Sequence, residues 1–358
     1  MKKIYSWSVS ISFCACLLAI GFQTFCPIFP DLTSTEERTR NEYPPITSFG
    51  CDHFCLNVEK AFSDRLGFRN FLAALTGRII LAVSKLNFLP EGLRTPKVVI
   101  GRRGWLYYDD RFDGTNLSDF TGKVLCTENE LSRIRENILE WRRWFNERGI
   151  VFFILIVPSK HTVYPEFLPD AIRRNGAKNT RLNQMDRLIE QDPEIRQCVV
   201  NPAPALIRAK QGFDFYYKTD THWNGLGAFV AYTELFKGMG IKPVSAKDVD
   251  IGRKPGELKG DLMRMLALSR EEEAIALRVR AKPERVGTMI FFHDSNGYPL
   301  LQLLTRHFEV ISFRKWINEK DLKDAFSKKP SVILLQLSER YLDSLLTPPP
   351  WQQNGRTV

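Results

Sequence analysis

The chain has 358 residues, enough for one large domain or a domain with an accessory segment, and well above the size at which a core becomes marginal. Apolar residues are 44% and charged residues 26%, a balance that argues against global disorder and against a polytopic membrane protein. The formal charge of +10 fits an acidic partner such as an anionic polysaccharide or phospholipid surface, and equally a solvated basic surface; no nucleic-acid motif accompanies it, so no nucleic acid is expected.

Lys2 and Lys3 precede a mostly apolar run from Ile4 to Phe29. Roughly 20 residues cross a bilayer core, and basic residues before an apolar run place the start on the cytoplasmic side. Ala19-Ile20-Gly21 is a mediocre signal-peptidase site. Residues 1–30 therefore read as an uncleaved signal-anchor rather than a cleaved signal, and either reading places the rest of the chain outside the cytoplasm. Residues 31–95 begin as a polar linker to position 48, rich in Pro30, Ser34, Thr35, Pro44 and Pro45. From Val58 to Leu89 apolar residues recur at helical spacing with breaks at Gly67 and Gly77, which predicts two short helices. Cys51 and Cys55 could close a local disulfide in an oxidising compartment. Zinc is not expected at Cys51-Asp52-His53-Phe54-Cys55, because no second ligand pair of similar spacing exists.

The main domain spans 96–350. Thr127 and Glu130 form a capping box, and the helix they open carries Leu131, Ile134, Ile138 and Leu139 on one face before stopping at Gly149. Ile150 to Val157 follows without a polar residue, as a strand buried on both faces does in a parallel sheet. A helix around Leu182, Met185, Leu188 and Ile189 leads to the short strand Cys198-Val199-Val200, and Gly225 to Phe236 reads as another helix. Residues 244–285 are charged and lack clear periodicity, so they read as an insertion or lid. Thr288 to Phe292, Phe308 to Phe313 and Ser331 to Leu337 complete the strands. The sum predicts an α/β fold, doubly wound, with a mainly parallel five-stranded sheet.

Two segments carry chemistry. In Thr219-Asp220-Thr221-His222-Trp223-Asn224 an acid and a histidine two residues apart share one side of an extended chain. In Met289 to Gly297 an apolar strand ends in a turn that holds Ser295 at the carboxyl edge of the sheet, where ligands of such folds sit. A serine hydroxyl needs a base to take its proton and a carboxylate to orient that base, and Ser295, His222 and Asp220 can supply these parts. A helix starting near Tyr298 would aim N–H groups at an oxyanion, with Asn296 and Gly297 the expected donors besides Ser295 itself. Only five histidines exist, at 53, 161, 222, 293 and 307, which constrains the choice of base. His293 reads either as support for the site or as simple packing, and Asp294, adjacent to Ser295, as a brace for the loop. A metal held by Asp220, His222, His293 and Asp294 is chemically conceivable, but a serine arrangement uses the same residues without an ion, so neither metal nor cofactor is expected. Lys160 and Tyr164, just after the first buried strand, could reach a sugar hydroxyl or carboxylate, and Trp223 could stack on a pyranose ring. Trp105, Tyr107 and Tyr108 read as core before stacking platforms. Glu339 and Arg340 read as an ion pair, with a substrate contact as the alternative for Arg340.

Six collinear blocks carry a resemblance. They are Asn57 to Asp64 with Gly67-Phe68-Arg69; Val99-Ile100-Gly101 with Gly104-Trp105-Leu106-Tyr107-Tyr108; Val157-Pro158-Ser159-Lys160 with Val163-Tyr164-Pro165-Glu166 and Leu168-Pro169; Thr219 to Asn224 with Gly227-Ala228; Asp294-Ser295; and Lys329-Pro330 through Ser338-Glu339-Arg340-Tyr341-Leu342. From about residue 56 to 346 the chain resembles the SGNH-hydrolase-like proteins of alginate O-acetylation, the AlgJ/AlgX type. The resemblance implies Ser295 as nucleophile, His222 as general base and Asp220 as its orienting acid, in the permuted order in which the serine comes last. Asn296 stands where the family usually has an aromatic residue, and His293 where ordinary SGNH enzymes carry glycine. The larger members continue into a carbohydrate-binding module, so the resemblance points to the compact membrane-anchored kind. It implies an O-acetyltransferase acting on an extracytoplasmic polysaccharide through an acetyl-serine, at the periplasmic face of the bacterial inner membrane or in the periplasm. Its acetyl donor would be delivered by a membrane-bound O-acyltransferase. An acetylesterase with the same triad and a non-catalytic subunit of an acetylation complex are the alternatives.

Overall fold

The computed structural model describes residues 2–26, 28, 41–50, 53–84, 95, 97–109, 117–314 and 316–353. Cys51 and most of the 31–48 linker lie outside the described residues, and with them the Cys51–Cys55 disulfide. The chain divides into two units, Met1–Leu86 with Met263–Ser269, and Asn87–Leu262 with Arg270–Val358.

The first unit is helical, with helices Lys2–Phe25, Phe54–Asp64 and Arg69–Ser84. Gly67 sits in the turn between the last two, where its N–H donates to Thr24 Oγ1 at 2.8 Å and a Cβ would lie 2.6 Å from the Ile20 carbonyl oxygen. The expected break at Gly77 does not occur, because that glycine serves a close approach: a Cβ there would meet the Leu266 carbonyl oxygen at 2.1 Å. Among the described residues no single helix is long and apolar enough to cross a membrane. The apolar part of the first helix is Ser10–Phe25, and the two later helices, bent by 73°, pass that test only as a pair.

The second unit begins with a short antiparallel hairpin, β1 Val98–Ile100 and β2 Leu106–Tyr108. Its centre is a sheet of five strands, β3 Val151–Val157, β4 Val199–Val200, β7 Thr288–Phe292, β8 Glu309–Phe313 and β9 Val332–Ser338, in the order β4-β3-β9-β7-β8 and parallel throughout. These are the five strands expected from sequence, within a residue or two at their ends. Period-two alternation sends Phe153, Leu155, Val157, Met289, Phe291 and Leu334 to one face and Phe152, Ile154, Ile156, Ile290, Phe292 and Leu335 to the other. The first face is covered by Ala228, Ala231, Tyr232, Leu235 and Phe236 of helix Gly225–Gly238 and by Leu300, Leu303 and Leu304 of helix Tyr298–Leu304. The second is covered by Ile134, Ile138, Trp141, Trp144 and Phe145 of helix Glu128–Asn146, which the Thr127/Glu130 capping box opens, and by Leu182 and Met185 of helix Arg181–Gln191. Burying both faces is why β3 reads as a continuous apolar run, whereas the edge strand β8 carries Glu309 and Ser312 exposed.

The segment 244–285 is where the fold departs most from expectation. It contains a long antiparallel pair, β5 Val249–Lys259 and β6 Glu271–Val279. Its first strand is largely exposed, and buried residues alternate with exposed ones only toward the end of β6, where Leu277 and Val279 are buried while Ala276 and Arg278 face solvent. The turn end of this hairpin lies against the Asp220/His222 loop, through the Leu262 N–H donating to the Thr219 carbonyl at 3.1 Å.

Candidate active site

The parallel sheet brings the ends of β3, β7 and β9 to one edge, and Ser295 opens a short 3-10 turn there, Ser295–Gly297, directly before helix Tyr298–Leu304. Asp294 fixes that turn. Its Oδ1 accepts from the Asn296 N–H (2.8 Å) and Gln336 Nε2 (3.0 Å), and its Oδ2 from the Ser338 N–H (3.0 Å) and Oγ (2.6 Å). Gly297 lets the His293 ring lie underneath, since a Cβ at 297 would sit 2.4 Å from His293 Cγ. The His293 Nδ1–H donates to the Asp294 carbonyl at 2.6 Å.

The second half of the site is the loop 216–223, closed at its ends by a bridge between Tyr216 and Trp223. Asp220 and His222 meet through a turn rather than along an extended strand: Asp220 Oδ1 accepts from the His222 N–H at 2.9 Å and from Nδ1 at 2.6 Å. With Nδ1 donating, Nε2 is the acceptor nitrogen, and it lies 2.7 Å from Ser295 Oγ. Trp223 Nε1 donates to the Asn296 carbonyl at 2.9 Å, which ties this loop to the serine turn. Asn224 then caps helix Gly225–Gly238 by accepting from the Leu226 and Gly227 N–H groups.

Burial opposes the His222 imidazolium, but the Asp220 hydrogen bond and the charges of Asp220, Asp261 and Asp294 outweigh it and hold the His222 pKa above its ordinary value. Burial likewise opposes the Asp220 carboxylate, yet the hydrogen bonds from His222 and from the Asp261 N–H hold its pKa below the usual range. Asp220, His222 and Asp261 bring one ligand atom each to within 4.8 Å of one another, close enough for a divalent ion. Each carboxylate is already an acceptor there for N–H groups of the loop, so the cluster is satisfied as a hydrogen-bonded unit.

Other residues singled out in the sequence take different places. Lys160 is buried, and its Nζ donates to the carbonyls of Tyr217 (2.8 Å), Lys218 (3.2 Å) and Asp220 (2.7 Å). Its three donors hold the His222 loop, leaving none for a sugar. Tyr164 is buried too, its hydroxyl accepting from the Phe215 N–H at 2.8 Å and its ring stacked on Trp105. Trp223 is fully buried and offers no face to a pyranose. Trp105 and Tyr107 are core. The expected oxyanion donors are spent: the Asn296 N–H on the Asp294 carboxylate and the Gly297 N–H on the Asp294 carbonyl at 3.1 Å, because Asp294 draws the turn onto itself. The Ser295 N–H is the remaining donor of that trio. Glu339 and Arg340 do not pair. Glu339 is buried and accepts from the Ser159 N–H at 2.7 Å and from Thr162 Oγ1, with burial pushing its pKa up to about 7. Arg340 instead lies over the rings of Tyr108 and Tyr341, at 5.5 and 4.8 Å.

Two cavities flank the serine turn. One of about 430 Å³ is lined by His293, Ser295, Arg314, Trp316, Arg340 and Tyr341, and one of about 40 Å³ by Tyr108, Ser159, His161, Thr221, Asn296 and Arg340 among others. Among the described residues four buried side-chain polar atoms lack a partner: His161 Nε2, His293 Nε2, Asn296 Oδ1 and Arg340 Nε. All four belong to residues lining these two cavities. Because Ser338 Oγ donates to Asp294, it must accept from Asn296 Nδ2 at 2.8 Å, and this fixes Oδ1 as the free acceptor. Sequence reasoning missed Asp261 and Glu272, which also meet the loop; the apolar alternation at 275, 277 and 279 was the available sign of a strand there.

The family described as "SGNH hydrolase-like domain, acetyltransferase AlgX" matches residues 98–290. That stretch holds Asp220 and His222 and stops short of Ser295, whose place in the site therefore stands on geometry. The probable alginate O-acetylase AlgJ of Azotobacter vinelandii is 28% identical over 193 residues, covering 51% of this chain and 45% of the relative. The chain thus spans about half the length of the curated relatives it matches. Among solved structures, the O-acetyltransferase domain of Pseudomonas putida AlgJ aligns with a TM-score of 0.49 at 20% identity, over 73% of this chain and 100% of that one. A DHHW family protein from Eubacterium siraeum aligns with a TM-score of 0.50 at 13% identity, over 75% of this chain and 98% of the other.

Proposed function

The chain belongs to the SGNH hydrolase-like family of the acetyltransferase AlgX, and from that membership we propose that it moves acetyl groups onto hydroxyls of an extracytoplasmic polysaccharide through an acetyl-serine at Ser295. The observation that carries the proposal is the continuous relay from Ser295 Oγ to His222 Nε2 (2.7 Å) and from Nδ1 to Asp220 Oδ1 (2.6 Å). In the first half-reaction His222 accepts the hydroxyl proton while Ser295 Oγ attacks the carbonyl carbon of an acetyl ester or thioester, and the imidazolium returns that proton to the leaving group. In the second, a sugar hydroxyl gives its proton to His222 and attacks the acetyl carbon, and the imidazolium passes that proton to Ser295 Oγ as it leaves, which restores the free serine and the neutral ring. Asp220 keeps the proton of the neutral ring on Nδ1 and offsets the charge of the imidazolium. The unpartnered polar atoms around the two cavities support a polar acceptor beside Ser295.

The donor is proposed to arrive from a membrane-bound O-acyltransferase, and the apolar N-terminal helix to hold the chain at the outer face of the inner membrane. Transfer must beat hydrolysis by roughly 55 M water, which is a matter of how well the acceptor is positioned. The test is to incubate the full chain with an acetyl-ester donor and acetyl-free oligosaccharides of an acetylated bacterial polymer. Mass spectrometry should find one acetyl group on the peptide carrying Ser295 and acetyl ester on the sugar, and neither with Ser295→Ala. Free acetate alone would replace the transferase by an acetylesterase. Undiminished polymer acetylation in cells carrying Ser295→Ala would sink the chemistry altogether.

A further inference from the structure

Four consecutive residues of the catalytic loop are gripped from the β5–β6 hairpin. Glu272, on β6, accepts from the Lys218 N–H (2.8 Å), the Thr219 N–H (2.9 Å) and Thr219 Oγ1 (2.7 Å). Asp261, just after β5, accepts from the Thr221 N–H at 2.7 Å on Oδ1 and from Thr221 Oγ1 on Oδ2, while its own N–H donates to Asp220 Oδ2 at 2.9 Å. The approach is close enough that position 260 needs glycine, since a Cβ there would lie 2.2 Å from the Thr219 carbonyl oxygen. Asp261 Oδ2 is left 3.7 Å from His222 Nδ1, on the nitrogen that already faces Asp220.

We propose that Asp261 is a second positioning acid for the His222 imidazole, carried to it by the hairpin, and that it favours the imidazolium formed when Ser295 gives up its proton. The proposal rests on the triad reading above. Two carboxylates side by side repel, and burial together with the Asp220 charge pushes the Asp261 carboxyl up. That cost falls when the ring whose Nδ1 faces both of them becomes positive, so the arrangement is more favourable in the transition state than in the resting enzyme. The groups that set the field at His222 are Asp220 on its own loop, Asp261 from the hairpin and Asp294 from the end of β7. The Lys160 ammonium, bonded to the Asp220 carbonyl, answers Asp220, Asp261 and Glu272 from the β3 side.

The experiment follows the pH dependence of Ser295 acetylation in the full chain, with 4-nitrophenyl acetate as probe. His222 must be neutral to accept a proton, so the acidic limb of the profile reports its pKa. Asp261→Asn removes one negative neighbour, lowers that pKa, and should move the limb to lower pH by about one unit, with the plateau rate falling roughly tenfold. Thr221→Val loosens the same contact but keeps the charge; its rate should drop with the limb in place. Asp250→Asn, elsewhere on the hairpin, should match the parent. Should Asp261→Asn not fold, Asp261→Ser serves the same comparison. A limb that stays put in the Asp261 variant overturns the proposal. Acetylation that survives Ser295→Ala would instead defeat the triad reading, a distinguishable failure.

Discussion

Replacing Lys160 by methionine should separate activity from stability. Lys160 Nζ binds three carbonyls of the His222 loop, of which Lys218 O also accepts from the Leu106 N–H and so keeps a partner. The carbonyls of Tyr217 and Asp220 lose the ammonium, and a buried acceptor left unsatisfied costs about 1–3 kcal/mol. Against this stands the cost of the ammonium itself. Burial pushes its pKa from 10.5 down to about 8, against the pull of Asp220, Asp261 and Glu272. A shift of that size corresponds to about 3 kcal/mol of net penalty for keeping the charge inside. Methionine has a similar length and carries no charge, so the two effects largely cancel. Urea unfolding at pH 7 should find Lys160→Met within about 3 kcal/mol of the parent. Turnover should fare worse, because the loop carrying Asp220 and His222 loses its fixed register, and a misplacement of about 1 Å costs on the order of 100-fold. The assay is single-turnover release of 4-nitrophenol from 4-nitrophenyl acetate, run beside the unfolding curves. A variant that unfolds like the parent and also reacts within threefold of it would refute the reasoning that Lys160 acts by holding this loop.

Two further substitutions test the surroundings of Ser295. In Gly297→Ala the new methyl group would lie 2.4 Å from His293 Cγ, so the ring must move and the serine turn with it. Unfolding should show a loss of about 1–3 kcal/mol, accompanied by slower acetylation of Ser295; an unchanged midpoint would mean the ring has room. Glu339 has a folded-state pKa raised from 4.5 to about 7 by burial. A carboxyl raised in this way contributes stability that is complete below its unfolded pKa and lost as pH rises through the folded one. The parent should therefore lose about 3 kcal/mol between pH 4.5 and 7 through this group, a slope that Glu339→Gln should lack. Parallel slopes in the two proteins, read from urea midpoints at pH 5 and pH 8, would count against a protonated Glu339.

Residues whose partner is a whole sheet or another side chain of fixed type were legible in the sequence. Ile150 to Val157 announces a buried parallel strand because both of its faces must be apolar, and β3 is found there. Asp220, His222 and Ser295 stood out because the chemistry admits few residue types and the strand before Ser295 fixes its edge. Residues whose partner is the main chain were not legible, since every residue carries the same carbonyl and N–H. Lys160 after a strand reads as a solvent-facing cation until the carbonyls of 217, 218 and 220 curl around it. Glu271, Glu272 and Glu273 are identical in type, and only the register of β6 selects the middle one to meet the Lys218 and Thr219 N–H groups. The same limit governs Gly77 and Gly297, where a missing Cβ signals either a break or a close approach and the sequence does not say which. It follows that what distinguishes this site from an isolated Ser-His-Asp trio, the clasp of Lys160, Asp261 and Glu272 on one loop, is written in backbone geometry. Substitutions that leave all three triad residues in place should then reach the chemistry through that clasp.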